Sequence, residues 1–141
     1  MKFNKKWTIL LIAAIVVIVA AFLAWSFVFK KADLSVSGQK VAIEIEAPKL
    51  LNAFETKEDS ANLKFDGKVI SVTGTIAEVK EDPQNISVYL KEKDATSGIM
   101  CSFDKSAVKS QDFKVGQQLK LKGICTGYLM DVLLNKCALE N

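Results

Sequence analysis

The sequence predicts a mainly β protein: a five-stranded Greek-key barrel preceded by a helix, with a transmembrane helix at the N-terminus. Three observations predict it. One uncharged apolar run occupies residues Trp7 to Phe29, the hydrophobic period changes from helical to two after Gly67, and two glycines, Gly74 and Gly123, lie inside period-two segments. Glycine within a strand marks a bulge or a sharp bend, the device by which small barrels close.

Between Trp7 and Phe29 only Thr8 and Ser26 are polar. At about 1.5 Å per residue a helix of this length reaches about 35 Å, enough to cross a hydrocarbon core of about 30 Å. A cleaved signal peptide has a shorter apolar stretch that ends in a small-x-small site. Here the run ends in Ser26-Phe27-Val28-Phe29-Lys30, which is bulky, and no cysteine follows it that would carry a lipid. The expectation is an uncleaved signal anchor over residues 7–29. Lys2, Lys5, Lys6 and the α-amine precede the run, against Lys30 and Lys31 partly offset by Asp33. The positive-inside bias places residues 1–6 in the cytoplasm and the rest in the periplasm, as a single-pass protein of a bacterial inner membrane.

Residues 30–46 read as a linker in which Val41, Ile43 and Ile45 alternate like a short strand. A helical leader over residues 47–67 follows. Pro48 suits a first helical turn, and Leu50, Leu51, Phe54, Ala61 and Phe65 recur at near-helical spacing. The pattern skips a beat at Glu58-Asp59-Ser60, a kink or a second helix start, and Asp66-Gly67 closes it as a turn.

The barrel is expected over residues 68–141. Ile70, Val72, Gly74 and Ile76 line one face of its first strand; Ile86, Val88 and Leu90 that of its second; Ile99, Cys101 and Phe103 that of its third. Asp104 to Gln111 reads as a helical connector. Leu119, Leu121 and Gly123 begin a fourth strand that runs to Cys125, and Val132, Leu134 and Leu139 supply a fifth after a hairpin at Gly127 to Asp131. Five short strands with a helical connector between the third and fourth is the OB-fold arrangement.

Composition excludes much chemistry. All 19 basic side chains are lysines and there is no histidine. That removes Ser-His-Asp triads, Cys-His pairs, imidazole metal sites and bidentate guanidinium clamps. Residues 1–31 carry five lysines and no acid, which leaves residues 32–141 with 14 lysines against 16 acids. The net charge of +3 is therefore a property of the anchor, and the mildly acidic remainder argues against nucleic acid held by counterion release.

The stretches Lys68 to Gly74, Gly98 to Phe103 and above all Gly123 to Cys137 resemble the tRNA anticodon-binding-like OB-fold family, small envelope-associated proteins of Bacteroidota-type bacteria. The helical leader, with Leu50 to Phe54, Ala61-Asn62 and Phe65, resembles the family's own, so the likeness covers about residues 47–139. The resemblance implies the fold and brings no catalytic residues; the family name records a likeness of fold to anticodon-binding domains. An anchor followed by an OB barrel is also similar to the haem chaperone of cytochrome c maturation, but that family attaches haem through a histidine.

Cys101, Cys125 and Cys137 sit where the family tends to have cysteines. In an exported domain two of them can form a disulfide, and the sequence leaves all three pairings open. The other reading is three buried, inert thiols. Four thiolates at CxxC spacing are missing, so no metal and no cofactor is expected. Glu81-Asp82 and Glu55 with Asp59 are paired carboxylates, but no base, nucleophile and stabiliser assemble around them. No enzyme is expected.

Ligands of OB folds lie on the second and third strands and on the loops between strands one and two and strands four and five. That nominates Ser87, Tyr89, Met100, Tyr128, Leu129 and Met130, with Tyr89, Met100, Tyr128 and Met130 as the chosen candidates and Lys91 beside Tyr89 as a backbone contact. Tyr128, Leu129 and Met130 have a second reading as a cap on the barrel mouth. The expected function is a membrane-anchored, non-catalytic binding module for an envelope protein, peptide or glycan. The alternative is a tRNA- or single-strand-binding OB fold on the cytoplasmic face.

Overall fold

A computed structural model describes residues 5–28 and 36–140, with side chains over 12–23 and 36–140. The chain divides into two units, Met1–Asp33 and Leu34–Asn141.

The first unit holds helix α1, Lys5–Val28. Ile12, Ile15, Val16, Val17, Ile18, Val19, Phe22 and Leu23 are all exposed, so over residues 12–23 the helix is apolar on every side. The span expected over residues 7–29 falls in large part on side chains outside the described set. The described stretch, residues 12–23, is only about 18 Å of helix. Among the described residues no helix is long and apolar enough to cross a membrane.

In the second unit the linker ends in a strand. β1, Ile43–Glu46, lies parallel to β2, Val69–Glu81, with Ile43 opposite Ile70 and Ile45 opposite Val72. The beat skipped at Glu58 is a second helix start: α2, Ala47–Thr56, ends at Lys57, and α3, Glu58–Phe65, begins there. Pro48 occupies the first turn of α2, where its missing N–H breaks no helical bond. Leu50, Phe54, Ala61 and Phe65 are buried, and the rings of Phe54 and Phe65 meet at 5.9 Å.

The remaining strands are β3, Asn85–Leu90; β4, Ile99–Asp104; β5, Gln118–Leu129; and β6, Asp131–Leu139. Sheet order is β1-β2-β3-β4-β6-β5, and β2 also pairs with β5, which closes the five main strands into a barrel. β4 and β6 run parallel along Ile99–Val132, Met100–Leu133 and Cys101–Leu134. Among the five barrel strands this is the one parallel seam and the other neighbours are antiparallel, the arrangement of an OB barrel. The inward residues named from the sequence, Ile70, Val72, Ile76, Ile86, Val88, Leu90, Ile99, Cys101, Phe103, Leu121, Cys125, Val132 and Leu134, are all buried.

Three local readings change. The bulge of β2 falls between Ile76 and Glu78, not at Gly74. Gly74 is small for another reason: a Cβ there would stand 2.8 Å from the Cβ of Ala47 and 3.2 Å from that of Leu90, so it lets the start of α2 rest on the strand. The connector between β4 and β5 is a turn at Asp104–Ala107 followed by a single 3-10 turn, Ser110–Asp112, because Phe113 is drawn inward against Phe103 at 5.0 Å. On β6 the alternation breaks at Lys136, whose φ is +54°; Cys137 and Ala138 turn inward and Leu139 is left exposed.

Replacing Gly74 by alanine forces α2 off the strand. Overpacking of this kind costs about 1–3 kcal/mol. Thermal unfolding followed by circular dichroism should show Tm falling by about 4–8 °C per kcal/mol lost. An unchanged Tm would mean that α2 does not bear on β2 at this point.

Candidate functional site

The pleat of β3 and β4 sends Ile86, Val88, Leu90, Ile99, Cys101 and Phe103 into the barrel, so Ser87, Tyr89, Met100 and Ser102 share its outer face. The register sets Ser87 opposite Ser102 and Tyr89 opposite Met100. On the other side of β3, Glu78 lies opposite Tyr89 and Lys80 opposite Ser87.

Tyr89 is the centre of this face. The Nζ of Lys80 stands 4.9 Å from its ring centroid and the Nζ of Lys91 5.5 Å. Each contact of this type contributes about 0.5–1 kcal/mol at an exposed site. Each ammonium also has a carboxylate: Glu78 Oε1 lies 3.3 Å from Lys80, and Asp131 Oδ1 3.7 Å from Lys91. Asp131 additionally accepts the Gly98 N–H at 2.7 Å, tying the start of β4 to the start of β6. The face is thus a planar ring with two partly neutralised ammonium groups over it.

The loops around it are stiffened by short polar contacts. Asp82 accepts the N–H groups of Asn85 at 2.6 Å and Gln84 at 2.9 Å, which closes the β2–β3 turn. Those two bonds, Asn85 first, hold its carboxyl below the usual aspartate range. Glu81 pairs with Lys105 across the same end of the barrel, and that lysine, then Ser110, lowers its carboxyl too. Beyond Lys91 a crevice of about 820 Å³ opens between the start of α2, the middle of β2 and the β3–β4 loop. Lys91 lines it together with Glu46, Glu55 and Ser97, and Ser97 donates to Glu55 at 2.7 Å.

Of the residues nominated from the sequence, the fold brings Ser87, Tyr89, Met100 and Lys91 to one face and leaves Tyr128, Leu129 and Met130 at the β5–β6 end. Tyr128 is half-buried: it stacks on Phe54 with ring centroids 5.8 Å apart and packs against the core. Met130 sits at the β5–β6 turn with φ +72° and is 79% exposed, next to the equally bare Leu129. Lys80 is the functional side chain that sequence reasoning missed. The β2 bulge leaves both Ala77 and Glu78 exposed, so parity counted from Ile76 places Lys80 on the wrong face.

The three cysteines are free and buried. Burial, then the neighbouring Cys137, pushes the Cys101 thiol well up; burial also raises Cys125, which lies near Asp66. Thiols held protonated in this way are not nucleophiles. Among the described residues no group of side chains is placed to hold a metal ion.

Comparison with known proteins gives one family match. The tRNA_anti-like family model matches residues 1–139, a span that takes in α1 as well as the barrel. The chain belongs to the tRNA_anti-like family. No curated protein matches it. Among solved structures it is similar to a candidate nucleic acid-binding lipoprotein from Klebsiella pneumoniae subsp. pneumoniae, at 12% identity and TM-score 0.58, over 72% of this chain and 92% of that one. It is also similar to asparaginyl-tRNA synthetase from Pyrococcus horikoshii, at 14% identity and TM-score 0.41, over 54% of this chain and only 20% of the enzyme. A third is the Stn1-Ten1 complex of S. pombe, at 11% identity and TM-score 0.39, over 52% of this chain and 58% of that one. The likeness to the Klebsiella lipoprotein, at 12% identity, is a likeness of fold. The tRNA_anti-like assignment agrees with the family resemblance and the barrel. It leans against the expectation that a nucleic-acid partner is unlikely, because the fold is one that binds nucleic acid.

The depressed Asp82 carboxyl has a consequence in acid. A carboxylate lowered by folding stabilises its turn above the unfolded pKa, and the effect is lost as pH falls through the folded value. The Asp82 carboxyl signal in an NMR titration should have its midpoint below the ordinary aspartate value of about 3.9. Asp82→Ala should speed amide exchange at Gln84 and Asn85 at neutral pH; unchanged exchange would show that the side chain does not hold the turn.

Proposed function

We propose that this tRNA_anti-like protein is a non-catalytic binding module whose outer β3–β4 face receives single-stranded nucleic acid. One base stacks on Tyr89 beside Met100, and backbone phosphates approach Lys80 and Lys91. The observation that carries this reading is the Tyr89 ring with two ammonium groups within 5.5 Å of its centroid. It supports stacking and phosphate contact at one point, the combination that sequence-tolerant single-strand binders use. The family and the fold support the same ligand class, and the Klebsiella neighbour is described in the same terms.

In this reading the barrel is held at a membrane by α1. The uncharged run from Trp7 to Phe29 and its apolar surface on every described side support an anchor, since such a helix finds no matching surroundings in water. The three lysines before it support a barrel on the periplasmic side of a bacterial inner membrane. A second reading keeps the anchor and replaces nucleic acid by an envelope protein, peptide or glycan. Exposed Leu129 and Met130 at the β5–β6 turn favour it, as does the net acidity of residues 32–141.

Fluorescence anisotropy of labelled single-stranded DNA and RNA with the full chain in detergent separates the two readings. Two phosphate contacts give a plot of log K against log salt with slope near −1.4, at about −0.7 per contact. Lys80→Ala should bring the slope to about −0.7. Tyr89→Ala should weaken binding by about 5- to 150-fold, the value of one stacked base, and Tyr89→Phe should restore most of it. No binding at low salt, where phosphate contacts are strongest, would end the nucleic-acid reading and leave the envelope partner.

A further inference from the structure

The three cysteines pose a pairing problem that the barrel resolves. Cys101 on β4 and Cys125 on β5 both lie opposite Leu134 of β6, so a whole strand stands between them. With strands about 4.8 Å apart, their Cα atoms are separated by about 9–10 Å, beyond the reach of a disulfide. The Cys125 thiol has its own surroundings near Asp66 and Gly127. Cys137 is placed differently: its Sγ donates to the Leu134 carbonyl at 3.4 Å, and Leu134 is the residue that pairs with Cys101 across the β4–β6 seam.

Three separate features of the chain seat that sulfur. β6 begins with regular alternation, Val132 and Leu134 inward, and continued alternation would turn Lys136 inward and Cys137 out. Instead Lys136 takes a left-handed backbone, φ +54°, and the register with β5 slips between Lys122 and Ile124. A lysine has no intrinsic preference for that conformation, so it persists because the surrounding packing holds it. The bulge re-aims the next side chain, and Cys137 becomes 1% exposed. Opposite the bulge stands Gly123, where a Cβ would lie 2.6 Å from the Cys137 sulfur. Any other residue there would contest the space that the sulfur fills. The third feature is Cys101 itself, fully buried, the last residue of β4 to pair with β6. The parallel β4–β6 ladder has only three pairs, and Cys137 is buried just past the point where it ends.

We propose that Cys101 and Cys137 form a disulfide that staples the β4–β6 closure of the barrel, while Cys125 stays a free thiol. Both sulfurs are inaccessible in the folded domain, so the bond forms as the barrel folds in an oxidising compartment. The oxidant is a small or protein disulfide. One cysteine thiolate of the pair attacks it and displaces one thiolate of the oxidant, forming a mixed disulfide. The second cysteine, as thiolate, attacks the protein sulfur of that bond and displaces the other half. Two protons and two electrons leave the cysteine pair, and the oxidant ends as two thiols. The proposal does not depend on the ligand.

The test is a count of thiols on the full chain, unfolded in denaturant, refolded in detergent with a mixture of reduced and oxidised glutathione, acid-quenched, denatured and alkylated. One alkylated cysteine is expected, Cys125, rising to three after reduction. Proteolysis before reduction should release one linked peptide pair that contains Cys101 and Cys137 and is lighter by two hydrogens than the sum of its parts. Reduction of the refolded protein should lower Tm by about 10 °C or more for a loop of this size. Cys125→Ser should leave the linked pair unchanged, which separates a pairing effect from a folding defect. Three alkylated cysteines in the refolded protein, or a link through Cys125, would overturn the proposal.

Discussion

The thirteen residues of β2 serve two sets of partners, and the barrel depends on their bending to do so. Val69 to Thr75 pair with β5, and on their other edge Ile43 to Glu46 of β1 take up the hydrogen bonds of the first few. From Ile76 onward the same strand pairs with β3. A straight strand cannot lie in both ladders of a closed barrel without splaying one of them, which would leave backbone N–H and C=O groups buried and unpaired. The bulge between Ile76 and Glu78 supplies the bend, and Gly74 just before it gives α2 room to settle over the open end. The β1 segment is short and carries Glu44 and Glu46 outward, the usual protection for a strand with one free edge.

That bend also decides what the ligand face is made of. Past the bulge Glu78 and Lys80 point outward beside Tyr89, so a single extra residue in one strand brings the Lys80 ammonium over the tyrosine ring. Magnitudes then favour stacking over charge as the source of affinity. Each lysine has a carboxylate within 3.7 Å, and exposed pairs of this kind are worth about 0–1 kcal/mol, enough to blunt an ammonium but not to remove it. One base on an aromatic ring contributes about 1–3 kcal/mol. In the reading proposed above, a domain with acidic net charge and two lysines on one face would hold a strand by its bases first and its phosphates second.

Much of this was legible in the sequence because it rests on period-two alternation. Ile70, Val72, Ile86, Val88, Leu90, Ile99, Cys101 and Phe103 are inward as their spacing requires, and from them the outward placement of Tyr89 and Met100 follows. What was not legible lies where alternation fails. Nothing in Thr75-Ile76-Ala77-Glu78 announces a bulge, so the face of Lys80 was hidden. Asn135-Lys136-Cys137 carries no glycine at the residue that becomes left-handed, so the inward turn of Cys137 and the exposure of Leu139 were hidden as well. Tyr128 is open between ligand and cap in the sequence, and its stacking on Phe54, a residue of a separate element, is a contact that no spacing within β5 announces.

The same failure of alternation on β6 links packing to chemistry. Burial raises the Cys101 and Cys125 thiols and so holds them protonated, and a protonated buried thiol neither attacks a disulfide nor meets one. The redox state of the Cys101–Cys137 pair is therefore set while the barrel closes and is retained afterwards for as long as the domain stays folded. In the proposed pairing, a barrel closed in a reducing compartment keeps two thiols, and one closed in an oxidising compartment keeps the bond. The core of the domain thus stores the redox state of the compartment in which it folded, and does so without any contribution from the β3–β4 outer face.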